Sequence, residues 1–248
     1  MSGHSKWANI KNKKAKTDSV KGKIFTKIGR ELVMAVKQGG GPDPNTNGKL
    51  RDVIAKAKAS NIPNDNIARS IKKAAGDADV SNYEEITYEG YACAGVAVIV
   101  EVVTDNRNRT AAEMRHLFDK YGNGLGTSGC VGWMFDKKGL ILIERIASID
   151  EDEFMLLAID AGAEDFTTED DYFEILTDPA DFSVVRENLE AKGFEFIQAE
   201  ISMIPQNTVA IADEAEIAKV VRLIEILEDN EDVQNVWHNA DLPEEEEE

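Results

Sequence analysis

The chain has 248 residues, 42% of them hydrophobic and 30% charged, and a formal net charge of -19. That length admits one large domain or two to three small ones, each able to bury a core. No apolar run approaches the roughly 18 residues a membrane span needs, no apolar signal-like core opens the chain, and its two cysteines, Cys93 and Cys130, form no CxxC pair.

A soluble, cytoplasmic protein with reduced, core-type cysteines is the expectation. The charge is unevenly placed. Up to Ala75 there are 17 Lys+Arg against 5 Asp+Glu, whereas the remainder carries 11 against 42. Such asymmetry suggests a polyanion-binding end on an acidic body. The plainer alternative is that the lysines form ordinary solvated helix faces.

Residues 1–17 show neither helical nor strand periodicity and read as a basic arm with one aromatic, Trp7. From Asp18 or Ser19, either a suitable N-cap, a helix is predicted to about Gln38. Its apolar side is Phe25, Ile28, Leu32 and Ala35 or Val36. Lys23, Lys27, Arg30 and Lys37 share another face, with Lys27 roughly 200° from Phe25. The helix is therefore expected to dock by one side and present charge with the other. Gly39–Pro44 ends it, by a glycine cap and by proline. A second helix, about 47–60, uses Leu50, Val53, Ile54 and Ala57. A third has Pro63 in its first turn, uses Ile67, Ile71 and Ala74, and stops at Gly76. These make a three-helix bundle. The short turn between helices two and three raises a helix-turn-helix, but Asn61-Ile62-Pro63 lacks glycine and the basic residues concentrate before the second helix, which disfavours it.

After a polar linker at 77–81 the pattern changes. Strands are predicted at 85–89 and 95–104, then a helix capped by Asp105 or Asn106 that carries Ala111, Met114, Leu117 and Phe118. Strands at 131–135 and 140–144 follow, joined by a turn at Lys137-Lys138-Gly139. Ser148 and Glu151 suggest a capping box for a helix to Gly162. A short strand near 163–167, a strand at 172–176, a helix at about 180–191 and a strand at 194–204 come next. Residues 208–211, 213–227 and 232–237 give strand, helix and strand, and five terminal glutamates a disordered tail. Residues 139–204 then run β-α-β-β-α-β, a ferredoxin-like order. The fold class expected is α+β: an N-terminal three-helix bundle followed by two small α/β-sandwich, ferredoxin-like domains, one inserted in the other. The boundaries expected are 1–80 for arm and bundle, 81–136 with 205–240 for the first α+β domain, 137–204 for the inserted one, and 241–248 for the tail.

Few motifs carry chemistry. Gly124–Gly129 matches GxGxxG, but that fingerprint requires a preceding strand and a following helix, and here the order is reversed. It reads as a flexible glycine loop, one that can still offer backbone N–H groups to a phosphate of a large nucleic acid. His4, His116 and His238 are dispersed, and Glu113-x-x-His116 is half of a di-iron pattern without its partner. With no nucleophile–base signature, no enzyme, cofactor, metal or small-molecule substrate is expected. Arg107 and Arg109 sit at a predicted helix N-terminus, where the macrodipole disfavours cations. Either a bound phosphate reverses that penalty, or Asp105 and neighbouring carboxylates neutralise them.

The run GHSKWANIKNKKAK with KGKIFTKIGREL, ITYEGYACAGVAVIVEVVTDNRNRT, GNGLGTSGCVGWMF and ISMIP resembles the YebC/PmpR family over essentially the whole chain. That resemblance implies a regulator of gene expression associated with DNA or RNA. Bacterial members are described as transcriptional regulators; a mitochondrial relative is a translational activator, and some members look ribosome-associated.

The nucleic-acid contacts expected are Lys6, Lys11, Lys13, Lys14, Lys16, Lys21, Lys23, Lys27 and Arg30, with Trp7 stacking on a base and Arg107 and Arg109 as a further phosphate site. The partners implied are nucleic acid (DNA, ribosomal RNA or both) and the ribosome, with no membrane. Fourteen Lys against three Arg up to Ala75 favours phosphate gripping over base reading, hence weak preference on duplex DNA and a lean towards RNA. The contrasting expectation is a protein-interaction scaffold without nucleic-acid contact.

Overall fold

The computed structural model describes residues 18–76, 83–146 and 149–242, the side chains of 18–21 apart. The N-terminal arm, the linker, Ser148 and the glutamate tail lie outside the described residues. The fold is α+β. Described residues up to Phe135 and from Pro205 onward form one compact unit, and Asp136–Ile204 forms another.

In the first unit, helices α1 (Asp18–Gln38), α2 (Gly48–Ala59) and α3 (Asn64–Gly76) make the bundle. Ile28, Leu32, Ala35 and Val36 of α1 close a core with Leu50, Val53 and Ala57 of α2 and Ile62 and Ile67 beside and on α3. Asn47 caps α2 by accepting the Leu50 N–H at 2.9 Å, and its amide donates to the Ala35 and Gly41 carbonyls at 2.9 and 2.7 Å. One buried asparagine thus satisfies carbonyls at the end of α1 and an orphan N–H at the start of α2.

Strands β1 (Glu84–Tyr91) and β2 (Ala97–Thr104) are antiparallel, and β8 (Val233–His238) pairs antiparallel with β2 on its other side. One sheet face packs on α4 (Arg107–Tyr121) and α7 (Glu214–Asp229) through Val98, Val100, Val102, Met114, Phe118, Leu223 and Leu227. Ile99 and Val103, on the opposite face of β2, are buried as well, so this strand reads as a continuous valine-rich run. Helix α1 runs past β8, and its Val33 and Met34 are buried too. The helix therefore buries two sides, where a single docking side is expected from its pattern. β7 (Val209–Ala210) pairs in parallel with β9 (Ala240–Asp241), so the chain stays paired to Asp241.

The second unit runs from β3 (Phe135–Glu144) through α5 (Glu151–Ala161), β4 (Asp165–Thr168), β5 (Tyr172–Thr177) and α6 (Phe182–Ala191) to β6 (Gln198–Pro205). The sheet order β4-β5-β3-β6 is that of a ferredoxin-like fold. Its core joins Ile141, Ile143, Phe154, Phe173, Ile175, Phe182 and Leu189. Two local expectations fail here. Lys137-Lys138-Gly139 is not a turn: β3 is continuous, and Gly139 lies where an added Cβ would sit 2.2 Å from the Thr177 hydroxyl and 2.7 Å from Phe182. The cap of α5 is Asp150, accepting the Glu153 N–H at 3.0 Å, two positions after the Ser148 expected in that role.

One polar group interrupts the second face of β2. Glu101 accepts from the Asn235 amide at 2.7 Å. Burial raises its carboxyl; Asn235 opposes this, and Glu85 and Glu31 push it further up, from 4.5 to about 7. Gln38 and Lys49 also reach Glu85, and Lys56 pairs with Glu31. The folded state holds this proton more tightly than the unfolded chain, so stability falls as pH rises from about 4.5 to about 7. Glu101→Gln is expected to raise the melting temperature above pH 7 and leave it nearly unchanged at pH 4.5. Equal shifts at both pH values in thermal melts would contradict this.

Candidate nucleic-acid interface

The structure gathers its charged groups around Asp232, at the turn from α7 into β8. The Asn230 side chain accepts the Asp232 N–H at 2.9 Å and fixes that turn. One carboxylate oxygen of Asp232 takes Arg109 at 2.7 Å, with the hydroxyls of Thr110 and Thr104 at 2.7 and 3.1 Å. The other takes Arg30 at 3.0 Å. The Asp232 side chain is only 6% exposed and that of Arg30 16%. Burial alone would raise the Asp232 carboxyl, but Arg109 and Thr110, with the charge of Arg30, hold it below the ordinary carboxylate range.

This cluster settles where several expected nucleic-acid contacts lie. Lys23 pairs with Asp229 at 3.2 Å, Lys27 donates to the Glu228 carbonyl at 2.5 Å, and Arg30 reaches the Glu231 carbonyl as well as Asp232. Lys37 donates to the Tyr83 carbonyl at 3.2 Å. The basic stripe of α1 is thus turned onto the acidic end of α7 instead of standing free. Asp229 and Asp232 supply counter-charge, and the Glu228 and Glu231 carbonyls further acceptors, that its spacing within one helix does not reveal. Arg109 is neutralised by Asp105 at 3.1 Å and by Asp232, and Arg107 lies 3.4 Å from Glu84. At this helix start the carboxylate reading describes the geometry. Lys6, Trp7, Lys11, Lys13, Lys14 and Lys16, and the side chain of Lys21, lie outside the described residues.

Between the glycine loop and β3, three backbone N–H groups are also turned inward. Glu89 of β1 accepts the N–H groups of Gly129, Val131 and Gly132 at 2.7, 2.8 and 2.7 Å. Burial would raise its carboxyl, and these three bonds more than reverse that and lower it. The anion these N–H groups hold is therefore internal, which removes them from any external phosphate. Cys93 and Cys130 are free and half-buried rather than core residues. Among the described residues no cluster of three or more His, Cys, Asp or Glu is arranged to hold a metal.

A different basic surface stands open. Asn66, Arg69, Ser70 and Lys73 follow one another along α3 at i, i+3, i+4 and i+7, one helical face. Arg69, Lys72 and Lys73 are exposed and make no hydrogen bond or ion pair among the described residues. The spacing is visible in the sequence, but reading α3 for its apolar residues alone passes over it.

Comparison with known proteins places this geometry. Residues 5–77 match the model of the TACO1/YebC protein N-terminal domain, and residues 83–240 that of the TACO1/YebC second and third domain. The chain belongs to the TACO1/YebC family. A probable transcriptional regulatory protein of Acetivibrio thermocellus is 65% identical over 96% of this chain and 98% of its own. One of Ruminiclostridium cellulolyticum is 61% identical over the full length of both. The crystal structure of a conserved hypothetical protein from Aquifex aeolicus aligns with a TM-score of 0.83 at 44% identity, covering 93% of this chain and 94% of that one. TACO1/YebC relatives thus bear the names of regulators rather than enzymes. In this TACO1/YebC chain, no described helix is long and apolar enough to cross a membrane.

Proposed function

We propose that this TACO1/YebC chain is a nucleic-acid-binding regulator of gene expression, gripping phosphate through its N-terminal part. The observation that carries this is the exposed Arg69, Lys72 and Lys73 row on α3, unpaired among the described residues, in the basic part of a chain whose residues after Ala75 are strongly acidic. Cations on one face attract a phosphate backbone, and the acidic body sets the orientation by repulsion. The arm lysines Lys6, Lys11, Lys13, Lys14, Lys16 and Lys21 extend this grip and Trp7 supplies a stacking ring. Lys23, Lys27 and Arg30 serve instead to hold the bundle to the α7–β8 turn.

Lysine-dominated contacts position without reading sequence, so ribosomal RNA is the favoured target, above one duplex DNA motif. The test is paired: selection from a randomised duplex pool, and co-sedimentation of the full chain with ribosomes at physiological salt. Weak enrichment with appreciable co-sedimentation is expected. One strongly enriched motif and no protein in the ribosomal fractions would restore a transcriptional reading. Absence of both would leave a scaffold acting through protein contacts.

A further inference from the structure

Beside the α3 row lies a groove of about 280 Å³ between α1 and α3. Phe25, Gly29 and Ile62 form part of its wall, and Asn66, Arg69 and Ser70 stand on its α3 side. The Asn66 and Ser70 side chains make no hydrogen bond among the described residues. Phe25 is half-buried, though its position on the apolar stripe predicts a core residue; the groove is the reason. Nothing lies within 4 Å of a Cβ placed on Gly29, so that glycine leaves the wall open.

The geometry points to a binding site for one unpaired nucleobase of a single strand. The volume falls just under the roughly 300–1,000 Å³ typical of pockets for drug-sized ligands, which suits a single planar ring. Phe25 offers an aromatic contact of the kind on which bases stack. Asn66 and Ser70 offer donors and acceptors for a base edge, and Asn and Arg have the geometry to read one. Arg69 and Lys73, a turn apart on the same face, suit the phosphates on either side of the inserted base, and Lys72 adds charge alongside. A paired base inside a duplex does not reach such a recess without being flipped out. The site deepens the nucleic-acid reading and rests on it.

Gly29→Leu tests the groove without touching a charge. Leucine improves helix propensity and would fill the recess. The full-length chain is titrated with three probes: a short single-stranded RNA, an abasic phosphodiester chain of equal length, and a duplex. Gly29→Leu is expected to weaken binding of the single strand about tenfold, the scale of one lost stacking contact. Affinity for the other two probes should hold, and the melting temperature should not fall. Phe25→Leu, which keeps an apolar side chain, should weaken the single strand in the same selective way. Wild-type affinity of Gly29→Leu for the single strand overturns the groove, as does equal wild-type affinity for the single strand and the abasic chain. Arg69→Glu with Lys73→Glu distinguishes the two levels: if that pair weakens all three probes while Gly29→Leu weakens none, phosphate binding stands and the base site falls. If the wild type binds no probe, both fall.

Discussion

Asp232→Ala is expected to cost about 3 kcal/mol, within the range for removing one partner of a buried ion pair. The substitution leaves Arg30, whose side chain is largely shielded, with the Glu231 carbonyl but no counter-charge, and removes the acceptor nearest Thr104 and Thr110. Arg109 is more exposed and keeps Asp105, so its share is smaller. The Asp232 carbonyl also accepts the Val103 N–H at 2.8 Å, which couples the turn to the central strand. Because the chain has more than one compact unit, a single unfolding curve can blend transitions. Hydrogen exchange of the β2 amides reads the loss where it occurs. A Asp232→Asn variant, which keeps a hydrogen-bond acceptor, should lose less. Protection unchanged in Asp232→Ala would show that the cluster contributes little.

Glu89→Ala is expected to cost about 3 kcal/mol as well: three bonds to a charged acceptor, each worth roughly 1.5–3 kcal/mol, are lost together, and water at the partly buried groups offsets part of the sum. The N–H of Val131 is buried and those of Gly129 and Gly132 partly so, so water replaces the carboxylate incompletely. Exchange at these three amides should accelerate well before the rest of the sheet responds. Glu89 and Asp232 both have lowered carboxyl values. Their contribution is present above the ordinary carboxylate range and is lost as pH falls through the lowered values. If acid lability is the same in wild type and Glu89→Ala, the cradle is not a source of stability.

What the sequence made legible was local. Helical spacing in α1 to α3 marked the bundle core, the valine run marked β2, and the β-α-β-β-α-β order marked the ferredoxin-like unit. What stayed hidden depended on distant partners. Lys23, Lys27 and Arg30 look like a free basic stripe because Glu228 to Asp232, some 200 positions away, leave no trace in the helix's own periodicity. The end of the GxGxxG loop and the residues after it do hold an anion with their N–H groups, but that anion is Glu89, on a strand some 40 positions earlier. Long-range electrostatic pairing has no sequence period, and hydrophobic packing does.

The central claim is that the open cations of α3 bind phosphate. The most direct measurement is a salt titration of RNA binding by the full-length chain and by a variant carrying Arg69→Glu, Lys72→Glu and Lys73→Glu. All three side chains are exposed, so the fold should survive. With each phosphate contact contributing roughly 0.7–0.9 to the log–log salt slope, the variant should bind more weakly and with a slope shallower by about 2. An unchanged affinity and slope in a folded variant would contradict the account.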